Sequence, residues 1–325
     1  MELKKLTNYL KALSWIIVAL VITCATLCVF PLKHSADNSS DSSTVVGDSL
    51  ISHVSQFKEI SFGDNAEGEM ASYGEKLIKN TYEYFYDGEV KIGNRLACGS
   101  CHLNGGTKAF AAPYVGLINV FPTYIGRENK IESLEERING CFERSMNGRA
   151  IPENSREMRA IVTYIKNISI NTVNKGRLEG QGFIKLDVPK RAADLKHGQL
   201  VFEGKCTSCH GKDGQGMRQP EGKGYLYPPL WGADSYNDGA GMARLLTAAR
   251  FIKANMPLGA TYDAPQLSDD EAYDVAAYIN SFDRPKKANK ELDYPNLHKK
   301  PKDSPYPPYA DNISLEQHKH GPYNF

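Results

Sequence analysis

Cys98-Gly99-Ser100-Cys101-His102 and Cys206-Thr207-Ser208-Cys209-His210 decide how this chain is read. At C-x-x-C-H spacing two thiols reach the vinyl groups of one haem, while the histidine, on the same helical turn, reaches the iron. A single unit also fits a redox dithiol or half of a zinc site. Two units in matching contexts specify two covalently bound haems c, held by Cys98, Cys101, His102, Cys206, Cys209 and His210, with His102 and His210 as metal ligands.

Outward from each motif the same succession recurs: helix, motif, Gly/Pro-rich loop, helix, ligand, helix. In the first half a helix is expected over 65–86, with Met70, Tyr73, Leu77, Ile78 and Tyr84 at helical spacing. Ser133 and Glu136 form a capping-box pair opening a central helix that Gly148 and Pro152 end. Asn154 with Glu157 caps the next, whose Met158, Ile161, Val162, Ile165 and Ile168 make an apolar stripe. In the second half, helices are expected over 194–205, up to Ala254, and from Ser268 with Glu271. Strand signals are few. The expected fold is therefore all-α, with two tandem haem domains at 63–180 and 181–284. An apolar segment (1–33) and a Ser/Asp/Asn-rich linker (34–62) precede them, and a Pro/Lys-rich tail (285–325) follows.

The 325 residues are 41% hydrophobic and 24% charged, with a net charge of +1, a balance that gives no footprint for nucleic acid. The run from Ala12 to Leu32 is uncharged and follows Lys4, Lys5 and Lys11. It is long enough to span a bilayer with the lysines on the cytoplasmic side. Thr23-Cys24-Ala25 is a poor cleavage site, so a cleaved signal and an uncleaved anchor at 12–32 both stand. Either places the rest outside the cytoplasm, where c-type haem is attached: a periplasmic protein, soluble or held at the inner membrane.

Each iron needs a distal partner. Met256, before Pro257 and after a helix, resembles the methionine loop of class I c-type cytochromes, and Pro229-Leu230 resembles their proline loop. Met217 and Met242 read better as core or loop residues. In the first half Cys141, Met146 and Met158 compete. Met158 falls on an apolar stripe. Cys141 is the one cysteine outside both motifs and the N-terminal run, and Arg127, Arg137, Arg144 and Arg149 lie near it in sequence. Arg137 and Ser145, one turn before and after, share its helix face. Guanidinium charge favours the thiolate, the form that ligates metal or attacks sulfur. A buried free thiol is the plain alternative.

The segment Arg137-Ile138-Asn139-Gly140-Cys141-Phe142-Glu143-Arg144-Ser145-Met146-Asn147-Gly148, with Arg127 ten residues earlier, resembles the dihaem thiosulfate dehydrogenases, which form tetrathionate. The likeness extends to both haem motifs, to Asn255-Met256-Pro257 and to the tail. It implies cytochrome c-like domains, with Cys141 as distal ligand and substrate site of the first haem. Arg127, Arg137 and Ser145 would line a sulfur-anion pocket, and Met256 would ligate the second haem. It also implies thiosulfate or tetrathionate as substrate and an electron-transfer cytochrome, soluble or membrane-bound, as partner. Some members carry a lysine before the distal methionine; here it is Asn255. Three other readings fit the motifs less well: a dihaem electron carrier with Met146 as first distal ligand, another sulfur-oxidising cytochrome subunit, and a dihaem peroxidase.

Overall fold

Two helix pairs, each closed around a glycine, hold the fold. The computed structural model describes residues 11, 13–17, 50–86, 92–173 and 176–324. The first half uses α1 (Ala66–Lys79), α2 (Leu134–Arg144) and α3 (Arg156–Asn167). The second uses α4 (Leu195–Lys205), α5 (Leu245–Asn255) and α6 (Asp269–Ser281). Helix α1 crosses α3 at Gly74, where an added Cβ would lie 2.0 Å from the Ala160 carbonyl oxygen. Helix α4 crosses α6 at Gly198 in the same way, 2.2 Å from the Asp274 carbonyl oxygen. Only glycine lets the backbones meet this closely.

Leu77, Ile78, Val115, Phe142, Met158 and Ile165 fill the first core, and Phe202, Leu245, Tyr273 and Val275 the second. Buried Asp274 ties α4 to α6, accepting from the Asp194 amide at 2.9 Å and from Arg191 at 2.7 and 2.8 Å, with the His197 ring 2.8 Å away. Burial alone would raise this carboxyl; the Arg191 and His197 bonds outweigh it and hold it below the usual range. His197 thus joins two helices. Gly198→Ala is expected to cost about 1–3 kcal/mol of stability by overpacking. Gly204→Ala, where a Cβ meets nothing within 4 Å, serves as control on the same helix in urea unfolding.

Several boundaries differ from expectation. The helix expected over 65–86 breaks at Asn80 (φ −128°, ψ 42°), and Thr81–Phe85 continues as a separate turn. Helix α3 is capped by Ser155, whose hydroxyl accepts from the Met158 amide, rather than by Asn154. Helix α2 stops at Arg144, before Gly148. The helix-rich fold also carries two short antiparallel ladders, so it is not purely α. Strand β1 (Thr123–Ile125) pairs with β2 (Lys130–Glu132), and β3 (Met217–Arg218) with β4 (Tyr225–Tyr227). Strands this short, set in Gly/Pro loops, leave no alternation long enough to read.

The tail is folded against both halves. Asp303 accepts from the Leu246 amide at 3.0 Å and from Arg244 at 2.9 and 2.6 Å, capping α5 from outside its own segment. Asp293 binds Arg144 of α2. Except for 13–17, the apolar run 12–32 lies outside the described residues, as does the stretch 34–47. Among the described residues no helix is long and apolar enough to cross a membrane.

Candidate functional site

The two C-x-x-C-H motifs open two separate cavities. In the first, Cys98–Ser100 forms a single 3-10 turn. Thr81 anchors it: its hydroxyl accepts from the Cys98 amide at 2.9 Å and lies 3.3 Å from the Cys98 sulfur. His102 Nδ1 meets the Ala112 carbonyl at 2.6 Å, which fixes the proton on Nδ1 and leaves the Nε2 lone pair to a metal. His210 repeats this with the Pro228 carbonyl at 2.8 Å. Ala112-Pro113-Tyr114 is thus the first-half counterpart of Pro228-Pro229-Leu230. The shared Pro after the accepting carbonyl was the signal that sequence reading passed over. Tyr114 stacks on His102 with ring centroids 4.4 Å apart. It fits only because residue 106 is glycine (φ +87°), where a Cβ would fall 2.1 Å from the Tyr114 ring.

Burial depresses His102 to about 4 and lowers His210, so both imidazoles are neutral, the form that ligates iron. Burial also pushes the Cys98 thiol up to about 11 and the Cys101 thiol to about 12.

The first cavity, about 530 Å³, is lined by Cys98, Cys101 and His102 together with Arg127, Arg137, Cys141 and Ser145. The structure therefore gathers every residue singled out for the first site. Met146 also lines this cavity but is buried in the first core, and Met158 is wholly buried away from it. Two of the four arginines near Cys141 in sequence do not reach the cavity. Arg144 turns to Asp293 with a bidentate pair at 2.8 and 2.7 Å, and Arg149 is exposed. Tyr294, Lys299 and Pro301 of the tail join the lining, as no local pattern announced.

The second cavity, about 580 Å³, is lined by Cys206, Cys209, His210, Pro229, Leu230 and Met256. Met217 is exposed on β3 and absent from the lining. Asn255 donates to the Phe251 carbonyl at 3.0 Å and to the Phe110 carbonyl at 3.2 Å, tying α5 to the first half. Its Oδ1 is buried without a partner. Leu96, Ala97, Cys101, Tyr236 and Met242 line both cavities, so one layer of side chains divides them.

These residues fit two haems c. Each cavity offers two thiols, an oriented neutral imidazole and mostly apolar walls.

Comparison with known proteins agrees. Residues 88–173 match the family described as SoxA/TsdA, cytochrome c domain, and residues 195–283 match the Cytochrome c family. Two cytochrome c domains carry two covalently bound c-type haems. A thiosulfate dehydrogenase of Psychrobacter arcticus is 42% identical over 73% of this chain and 70% of its own length. One from Allochromatium vinosum is 40% identical over 68% of this chain and 81% of its own. Among solved structures, a thiosulfate dehydrogenase (TsdBA) from Marichromatium purpuratum, as isolated, superposes with a TM-score of 0.65 at 34% identity. That match covers 70% of this chain and 49% of the other, so this chain spans about half of that protein's length. With its paired cytochrome c domains and relatives of this closeness, the chain belongs to the thiosulfate dehydrogenase family of oxidoreductases.

Proposed function

We propose that the first cavity joins two thiosulfate dianions into tetrathionate, with Cys141 as the reacting thiolate and, with His102, one of the two residues that would hold the iron of the first haem. One observation carries this: a single cavity holds Cys141, His102, both thiols of the first motif, Arg127, Arg137 and Ser145. Bound at their motifs, the haems supply one-electron acceptance beside the reacting sulfur and relay toward an external cytochrome.

The chain's own residues do the rest. Arg137 and Ser145 flank Cys141 by one turn each and orient the sulfonate oxygens of a thiosulfate by charge-assisted hydrogen bonds. The Cys141 sulfur bonds the terminal sulfur of that thiosulfate as two electrons leave, giving a Cys–S–S–SO₃⁻ adduct. The terminal sulfur of a second thiosulfate attacks the sulfane sulfur between Cys141 Sγ and the sulfonate, forming tetrathionate as the Sγ–S bond breaks and the Cys141 thiolate leaves. The sum is two thiosulfates to one tetrathionate and two electrons, with no proton moved. Run backward, the same steps reduce tetrathionate.

The test uses purified protein with thiosulfate and ferricyanide. The expected stoichiometry is two ferricyanide reduced per tetrathionate formed, with no turnover of peroxide. Absence of ferricyanide reduction would dismiss the proposal.

Met256, His210 and the 181–284 half belong on this reading to the relay centre, where His210 and Met256 would hold the iron of the second haem. Methionine ligation raises haem potential. Met256→Gly is expected to lower the potential of that haem by on the order of 0.1 V with both haems still attached, as read by redox titration. An unchanged potential would point to another ligand. The division into 63–180, 181–284 and 285–325 belongs to the same proposal. So does a periplasmic site, with 12–32 as signal or anchor; the uncharged run behind three lysines supports it.

A further inference from the structure

Two dianions carry four negative charges into one cavity. Of the four arginines near Cys141 in sequence, Arg144 is neutralised by Asp293 and Arg149 lies outside, leaving Arg127 and Arg137. Arg177 also lines the cavity, and the tail adds a further cation. Lys299 lines the cavity, is exposed and has no ion pair among the described residues. It is placed by specific contacts. Arg127 sits in the turn between β1 and β2, and its carbonyl accepts from the Tyr294 amide at 2.7 Å, fixing the tail to that turn. Beside it, residue 126 is glycine: a Cβ there would lie 3.3 Å from Lys299 Cβ, so the lysine stem lies on the turn carrying Arg127. Arg127 Nε is buried with no hydrogen-bond partner, an unmet donor on a residue that lines the cavity. Its guanidinium lies 5.8 Å from the centre of the Tyr294 ring.

The neighbouring Lys300 does not serve. Its ammonium lies 4.4 Å from the Tyr306 ring centre, donates to the Pro308 carbonyl at 2.9 Å and is absent from the lining. Lys300 holds the tail together; Lys299 reaches the cavity.

We infer that Lys299, with Arg127, binds the sulfonate of the second thiosulfate, so that the C-terminal tail completes the substrate pocket. The inference rests on the thiosulfate-coupling reading above. Arg137 on the Cys141 helix and Ser145 at its C-terminal cap serve the first thiosulfate. Arg127 and Lys299 lie on the hairpin turn and tail and receive the second, offsetting repulsion as the two sulfurs meet.

The experiment measures initial rates against thiosulfate for the dihaem protein and its Lys299→Ala, Lys299→Gln and Lys299→Arg variants, with ferricyanide as acceptor. Lys299→Ala and Lys299→Gln are expected to lower kcat/KM about tenfold, mainly through KM, with haem content and melting temperature unchanged. Lys299→Arg is expected to restore most of it. The deficit is expected to shrink as ionic strength rises, which a merely structural role would not produce. Wild-type turnover with an unaltered KM in all three variants would overturn the inference alone. Failure of the wild-type protein to oxidise thiosulfate would overturn it together with the coupling reaction.

Discussion

Cys141→Ala is expected to reduce thiosulfate turnover by about a thousandfold or more, with both haems still covalently attached. Groups that act as a unit lose nearly all their effect when one is removed, and on this account the thiolate is both the carrier of the first sulfur and the neighbour of the first iron. The substitution removes only a sulfur atom. Cys141 is half-buried on α2, outside the residues forming the first core, so stability is expected to change by less than about 1 kcal/mol. A haem stain after denaturing electrophoresis reports attachment, and ferricyanide reduction reports turnover. Activity near wild type would take Cys141 out of the mechanism and leave a two-centre electron carrier.

Arg144→Ala is expected to destabilise the fold by about 3–5 kcal/mol, the usual consequence of stripping one partner from a buried ion pair. Arg144 and Asp293 are 7% and 8% exposed, so the surviving carboxylate would stay desolvated. The Tyr306 hydroxyl, at 2.5 Å, would still donate to it. The melting temperature is expected to fall by on the order of 10 °C. Arg144→Lys keeps the charge but loses the planar fork that meets both carboxylate oxygens, and is expected to recover only part of the loss. The double variant with Asp293→Asn is expected to cost clearly less than the sum of the singles, because the two act through one interaction. Strict additivity would show that the pair is not coupled. Since Arg144 ends the helix carrying Cys141, the variant is also expected to weaken thiosulfate binding.

The parts of this protein that could be read from its sequence are those specified locally. Each C-x-x-C-H motif carries its ligands within five residues, and the Ser133/Glu136 and Ser268/Glu271 capping boxes form as written. Arg137, Cys141 and Ser145 share a face because helical spacing places them there. The chain's long-range commitments were hidden. Asp293 lies 149 positions from Arg144, and nothing near Arg144 distinguishes an anion-facing arginine from one buried in an ion pair. Gly74 and Gly198 look like ordinary helix glycines until the crossing helix is present. Composition marks the tail only as rich in Pro and Lys, because its stabilising contacts, Asp303 on α5 and Asp293 on α2, involve residues far from it in sequence.

Electron paramagnetic resonance of the oxidised protein, with Cys141→Ala beside it, bears most directly on the thiolate at the first haem. The account predicts two low-spin signals in the wild-type protein, one with thiolate ligation and one with His/Met ligation, and loss of the thiolate signal alone in the variant. Two His/Met signals that do not change between the proteins would contradict it.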